Sequence, residues 1–498
     1  MNHPYPATVE EQAMSFLGED WHGQIQSGGW REGGGGDYSV FEPATGNEIG
    51  RIGAADAADV ARAACAAHAA QAAWAATPHE ERSAVLRRAG DLWERHAEEL
   101  GGWIVREAGS IPPKAGLETH VAAAECFEAA SLPSRPYGEL LPSSEPRLSL
   151  ARRLPVGVVG VIAPFNFPLI LAIRSVAPAL ALGNAVLLKP DPRTAVSGGV
   201  SLARVFEEAG LPESLLHVLP GRADVGEALI DTPEARVISF TGSTKAGRRV
   251  GERAARQLKR AHLELGGNSA LIVLPGADLE KAVGAAAWGS FLHQGQICMT
   301  TGRHLVHDSL AEEYVQRLSA KADALPVGDP SAGQVALGPI IDEHQRDHIH
   351  ELVTASASAG ARVAAGGSFE GLFYRPTVLA DVRPSTPAYA EEVFGPVAPV
   401  LSFSTIEEAV QLANATDYGL SLGILAGDAM EGLELANRIP SGLVHINDQT
   451  VGDEANIPFG GVGVSGTGSR FGGAQANVEA FTDTQWVTIR REIPTYPF

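Results

Sequence analysis

Cysteine is scarce in this chain. Three occur in 498 residues: Cys65, Cys126 and Cys298, odd in number and far apart. No disulfide framework is expected, and a reducing cytoplasm fits best. Long apolar runs are missing as well. The most apolar stretches, Leu154 to Ala163 and Ala177 to Leu188, are broken by Pro or Gly. They fall short of the roughly 20 residues that cross a bilayer. Met1 to Glu10 has neither a basic cluster nor an apolar core, so no targeting segment is expected. Positive charge is in deficit: 38 Lys and Arg stand against 59 Asp and Glu, a net charge of -21. That argues against nucleic acid or an anionic membrane as a main partner. A small anionic ligand remains open, because a helix N-terminus binds phosphate whatever the global sign. A metal-ligand pattern is absent too. His344 and His348 are four apart, but no Glu follows the first. They read as a solvated helix face, and no metal is expected.

What is present suits a folded protein of two or three domains. Tyr38 to Phe41 and Glu48 to Ile52 flank Pro43 to Asn47 as a hairpin. Ala54 to Gly101 reads as packed helices, with Asp56 as N-cap. Strands are expected at Pro155 to Ile162, Ala185 to Leu188, Leu215 to Leu219 and Arg236 to Phe240. Between them lie helices at Leu169 to Leu182, kinked by Pro178, and at Val200 to Ala209, stopped by Gly210. Val250, Ala254 and Leu258 should line one face of a helix starting near Ser243. This alternation implies an α/β fold with a parallel, doubly wound sheet. A second alternating region runs from Ser269 to about Gly468, and Gln485 to Ile489 reads as a final strand.

Four places carry chemistry. Cys298 sits in a Gly-containing loop after an apolar helix, whereas Cys65 and Cys126 lie in Ala-rich helices. A thiolate attacks carbonyl carbon and later leaves from a thioester, although a lone Cys is by default an inert small hydrophobe. Glu264 ends a short strand before Gly266-Gly267 and reads either as a base or as a solvated loop carboxylate. Asn166, in Pro164-Phe165-Asn166-Phe167-Pro168, reads either as an oxyanion donor or as a helix N-cap. Phe240 to Gly247 runs from a strand into a helix, where free N–H groups face an anion. Lys189, at another strand end, is placed to hold a ribose hydroxyl.

In this order the segments resemble the aldehyde dehydrogenase superfamily. The likeness is carried by Pro164 to Pro168, Leu187 to Pro190, Phe240 to Gly247, Glu264 to Asn268 and Gly295 to Cys298. Glu392 to Pro396 and Pro458 to Gly461 through Ser465-Gly466 extend it along nearly the whole chain. The resemblance implies that Cys298 attacks an aldehyde to give a thiohemiacetal and that hydride passes to NAD or NADP. It implies Asn166 and the Cys298 N–H as the oxyanion hole, and Glu264 as the base for thioester hydrolysis. The cofactor would meet Lys189, Gly242, Ser243, Thr244, Lys245, Ala246, Gly247, Leu265, Glu392 and Phe394. A Rossmann-like cofactor domain is implied at 1–132 with 154–265, and a catalytic domain at 266–468. A β oligomerisation flap at 133–153 with 482–498 would give a homodimer or homotetramer. Two departures stand out. Pro192 occupies the place where many NAD-preferring members carry Glu, so NADP acceptance is implied, with Asp191 and Arg193 pulling in opposite directions. Phe165 stands where many have Trp. With Ala172 to Ser175 and Cys298 to Arg303, Phe165 resembles the benzaldehyde dehydrogenase branch, which handles aromatic aldehydes. Phe167, Leu171, Leu292 and Ile297 are candidate tunnel walls. For a semialdehyde carboxylate, Arg174 and Arg303 are the nearby cations. The alternatives are an aliphatic or semialdehyde dehydrogenase, a CoA-acylating enzyme (disfavoured by Glu264), a thiol acyltransferase or esterase, and a non-catalytic protein on this fold.

Overall fold

The computed structural model describes residues 15–498. Its framework is two seven-stranded sheets and a smaller three-stranded one. In the first large sheet, Arg260–Glu264, Ala235–Thr241, Val158–Ile162, Ala185–Lys189 and Leu216–Val218 lie side by side and parallel. Gln24–Gln26 and Trp30–Glu32 extend it antiparallel. The parallel strands are buried on both faces and rich in Val, Ile and Leu, as sheets covered by helices on each side must be. From Val158–Ile162 the chain winds outward through Ala185–Lys189 to Leu216–Val218. It then returns to Ala235–Thr241 on the other flank. The winding reverses at that point, and a crevice opens outside the carboxyl ends of the strands there.

The second large sheet runs Arg362–Ala365, Thr377–Ala380, Val397–Phe403, Thr301–His307, Ser269–Val273, Ser421–Leu425 and Leu443–Ile446. All its neighbours are parallel except the first pair. The small antiparallel sheet joins Thr482–Ile489, Leu148–Pro155 and Gly138–Leu140.

Most expected elements form. Tyr38 and its neighbours pair as a hairpin with Glu48–Gly53. Asp56 caps helix Ala57–Ala76 in a reciprocal box with Asp59. Pro178 lies inside helix Pro168–Ala181. Two expectations need correction. The strand read as Pro155 to Ile162 is two strands. Pro155 ends the small-sheet strand, and Gly157 at φ 113° turns the chain before Val158 begins the large sheet. Leu258 does not continue the buried stripe of Val250 and Ala254. Helix Thr244–Arg256 has ended before it, and Leu258 is 95% exposed at φ 55°.

Asn184 ties the small sheet's root to the first large sheet. Its buried side chain accepts from the Gly157 N–H and donates to the Ala179 and Phe481 carbonyls. Three loop ends thereby satisfy one another without water.

Candidate active site

The residues singled out in the sequence gather where two sheet edges meet. Asn166, Lys189, Gly242 and Glu264 lie at carboxyl ends of the first sheet's strands. Cys298 precedes Thr301–His307, and Glu392 and Phe394 precede Val397–Phe403, all at amino ends of the second sheet. A cavity of about 740 Å³ lies between the edges. Asn166, Lys189, Gly242, Ser243, Ala246, Leu265, Cys298, Glu392 and Phe394 line it. Glu264 is buried just behind this wall, next to Leu265 and bridged to Gly466.

Thr244, Lys245 and Gly247 do not line the cavity. The Thr244 hydroxyl turns towards the Val464 carbonyl, Lys245 is exposed, and Gly247 faces the Leu265 side chain. Their backbone is still informative. Ser243 caps the helix by accepting from the Ala246 N–H at 3.3 Å. The earlier amides, of Thr244 and Lys245, are left for an anion at the helix start.

Two glycines set how closely the edges approach. A side chain on Gly266 would meet the Glu392 carboxylate at 2.1 Å, and one on Gly267 would meet the Cys298 carbonyl at 2.3 Å. The Gly267 N–H instead donates to Glu392 Oε1 at 2.9 Å. The Cys298 loop is held in an unusual shape. His293, Gln294 and Gly295 are all left-handed, at φ 48°, 56° and 65°. For two non-glycine residues in succession this costs energy, which the neighbours must offset. Gln294 Nε2 donates to the Gly109 and Pro339 carbonyls, and Gln296 Oε1 accepts from the Ile341 N–H. Asn166 closes the set. Its Nδ2 donates to the Gln296 carbonyl at 2.9 Å. Phe167, not Asn166, holds the N-cap position of the following helix, so the N-cap alternative falls away.

Burial dominates the electrostatics. It pushes the Cys298 thiol up to about 12, helped by Glu392, Glu264 and Asp453 and opposed by Arg174. Burial also holds the Glu264 carboxyl well above the usual carboxylate range, against the pull of Arg174 and Arg470. Neither Glu264 oxygen has a hydrogen-bond partner among the described residues. An orphan buried carboxylate is costly, and such groups cluster at functional sites. Burial raises Glu392 to about 7.

On its other side, Cys298 packs with an apolar cluster of Phe167, Leu292, Ile297, Met299, Val451, Ile457 and Phe459. Three of the four expected tunnel walls belong to it, and Leu171 lines the cavity. Both expected cations have partners, although Arg174 Nη1 has none among the described residues. Arg303 gives its donors to the Asn268, Leu412 and Ala413 carbonyls. Arg174 pairs with Glu125 and Asp453 and stacks over the Phe459 ring at 4.8 Å. Asp453 was not visible as a site residue in the sequence. Between Val451 and Ile457 the chain reads Gly-Asp-Glu-Ala-Asn, and nothing local separates Asp453 from its neighbour Glu454.

At the far end of the cavity, Arg193 pairs with Asp191 at 2.9 Å and with Asp342 at 2.6 Å. It also covers the Phe165 ring at 4.3 Å, and that ring meets Phe394 edge-on at 6.0 Å. Asp191 and Arg193 thus neutralise each other. Lys189 has the Pro190 carbonyl as its only hydrogen-bond partner among the described residues.

A thiol beyond a left-handed loop, a buried carboxylate and a helix start facing a long cavity make a site fit for covalent carbonyl chemistry beside an anionic ligand, on a doubly wound fold. Comparison with known proteins agrees. Residues 30–487 match the model of the aldehyde dehydrogenase family, and the chain belongs to that family. It is 68% identical over 486 residues to a vanillin dehydrogenase of Amycolatopsis sp., covering 97% of this chain and all of that one. It is 50% identical to a benzaldehyde dehydrogenase [NAD(+)] of Pseudomonas putida, covering 96% and 98% of the two chains. Betaine aldehyde dehydrogenase from Staphylococcus aureus, solved with NAD+, superposes with a TM-score of 0.92 at 29% identity, covering 95% and 96% of the two chains.

The glycine pair gives a direct test. Gly267→Ala forces the Cys298 carbonyl away and should lower aldehyde turnover by at least about 100-fold, the cost of misplacing reacting groups by roughly 1 Å. Steady-state kinetics with circular dichroism as a folding control checks it. Near-normal turnover would contradict this account of the close approach.

Proposed function

We propose that this chain oxidises aromatic aldehydes, of the benzaldehyde and vanillin kind, to carboxylic acids with NAD or NADP. The observation that carries this reading is Cys298, set between a dinucleotide-sized cavity and an apolar lining, with Arg174 beside it paired to Glu125 and Asp453. A benzene ring suits that lining. A semialdehyde would need a cation for its carboxylate; Arg303 gives its donors to backbone carbonyls, and the charge of Arg174 is already met by Glu125 and Asp453. CoA acylation is disfavoured because it has no use for a buried water base such as Glu264.

The residues present fit a nicotinamide dinucleotide. The Thr244 and Lys245 amides would take the pyrophosphate, Lys189 the adenosine ribose and Glu392 the nicotinamide ribose, with Phe394 and Leu265 as apolar walls. No carboxylate at Pro192 repels a 2′-phosphate, and Asp191 is neutralised by Arg193, which supports use of either cofactor. When bound, the dinucleotide supplies the hydride acceptor that converts thiohemiacetal to thioester.

The chain's own residues do the rest. Cys298 first loses its thiol proton to water in the cavity; Sγ then adds to the carbonyl carbon, and the carbonyl oxygen gains negative charge. Asn166 Nδ2 has two hydrogens. One is spent on Gln296, and the other donates to that oxygen beside the Cys298 N–H. In hydrolysis, Glu264 removes a proton from water as the water oxygen attacks the thioester carbon. The C–S bond then breaks, and Sγ regains a proton.

The three sheets support a division into a cofactor domain (1–132 with 154–265), a catalytic domain (266–468) and a flap (133–153 with 482–498). The flap carries Leu140 at 76% exposed and Trp486 at 62%. Such a face supports self-association as a homodimer or dimer of dimers. A cytoplasmic location fits the three unpaired cysteines. No described helix is long and apolar enough to cross a membrane.

Three outcomes are expected. In a panel run with NAD and with NADP, kcat/KM for benzaldehyde or vanillin should exceed that for succinic semialdehyde by on the order of 10²-fold, the scale set by mismatched polar groups. A preference for the semialdehyde would sink the aromatic reading. Second, a carboxyl held above its usual range serves as a base only once ionised. Deacylation should therefore rise with pH across the neutral to alkaline range and be lost as pH falls. Glu264→Gln should cut steady-state turnover by about 10²-fold or more while retaining a burst of cofactor reduction. Absence of a burst, with chemistry before the thioester slowed equally, would remove Glu264 from hydrolysis. Third, Leu140→Asp with Trp486→Asp should reduce the mass measured by light scattering to that of a smaller species. An unchanged mass would place the interface elsewhere.

A further inference from the structure

Beneath Asn166 lies a buried ion pair to which the mechanism above gives no part. Lys114 and Glu118 are one turn apart on helix Pro112–Ala130, and both side chains are 0% exposed. An ammonium group has three hydrogens to place. Lys114 Nζ donates to Glu118 Oε1 and, at 2.7 Å, to the backbone carbonyl of Asn166. It also faces the Phe167 ring, 4.2 Å from the centroid, a cation–π contact that takes the third direction. The other Glu118 oxygen accepts from the N–H groups of Leu169 and Ile170 at 3.1 and 3.3 Å. Those amides belong to the first turn of helix Pro168–Ala181, where a carboxylate also meets the positive end of the helix dipole.

One pair therefore grips the chain on both sides of Phe167-Pro168. It holds the Asn166 carbonyl before the turn and the helix amides after it. Rotation of the Asn166 peptide would break the Lys114 bond and leave a buried carbonyl and ammonium unpaired. The Asn166 side chain leaves this fixed peptide towards Gln296, two residues before Cys298. His293 packs edge-on against Phe167 at 5.6 Å from the other side. Burial and the nearby Lys114 charge hold it well below the usual histidine range, so it adds no competing charge.

We propose that Lys114 and Glu118 are positioning residues for the oxyanion hole, fixing the Asn166 peptide so that its side-chain amide meets the oxygen on the reacting carbon. This rests on the reading of Asn166 as an oxyanion donor. The pair touches neither aldehyde nor cofactor and acts only through Asn166.

A double-mutant cycle tests it, with kcat for benzaldehyde as the readout and KM for NAD as the control. Lys114→Met should lower kcat by about tenfold or more and leave KM for NAD within about twofold. In an Asn166→Ala background the same change should cost less than about twofold, because the donor it positions is gone. An equal loss in both backgrounds, or no loss in the first, overturns the proposal. Lys114→Met with Glu118→Met removes both charges together and guards against misfolding, since a buried pair replaced by apolar groups often leaves stability intact. That variant should keep its melting temperature and still show low kcat. Wild-type kcat there would make the pair structural only. Full activity in Asn166→Ala alone would instead overturn the oxyanion reading, and the clamp with it.

Discussion

Everything at this site depends on how closely two strand edges approach across Gly266 and Gly267. The first sheet delivers Glu264 and the glycine pair. The second delivers the Cys298 loop and Glu392. With no side chain at Gly267, the Cys298 carbonyl sits where a Cβ would otherwise be, and the same residue's N–H holds Glu392. Cofactor cavity, thiol and carboxylate thus belong to one rigid junction rather than to loops that must find one another. Rigid placement of reacting groups is where much of an enzyme's advantage lies.

That junction concentrates buried charge. Glu264, Glu392, Asp453 and Glu125 are all pushed above the ordinary carboxylate range, mainly by burial. Arg174 opposes this for Glu264, Glu125 and Asp453, and lies close enough to act on Cys298 too. One arginine thereby counters the effect of burial on three of these four carboxyls. The same pairing with Glu125 and Asp453 already balances the charge that a carboxylate substrate would seek.

Much of the architecture was legible in the chain. Val-rich runs alternating with helices gave the doubly wound sheet, because parallel strands buried on both faces must be apolar throughout. The errors fell at ends, where local pattern carries least. Leu258 had helical spacing but lay beyond the last turn. Pro155 ran into Val156 without a break in hydrophobicity, although Gly157 turns the chain there. At the helix start the motif bears on the cavity through backbone amides, while the Thr244 hydroxyl turns to the Val464 carbonyl and Gly247 lies against Leu265.

The sequence by itself determined the inventory: one loop cysteine, one carboxylate before paired glycines, one asparagine between prolines, and a strand running into a helix start. Each is a local fact, since backbone bias and capping depend on neighbours in the chain. Only the tertiary structure decided partnership. Lys114 meets Asn166 across 52 positions, and Arg174 meets Asp453 across 279. Burial decided protonation, which no local pattern encodes, because it depends on how much water the whole fold removes from each group.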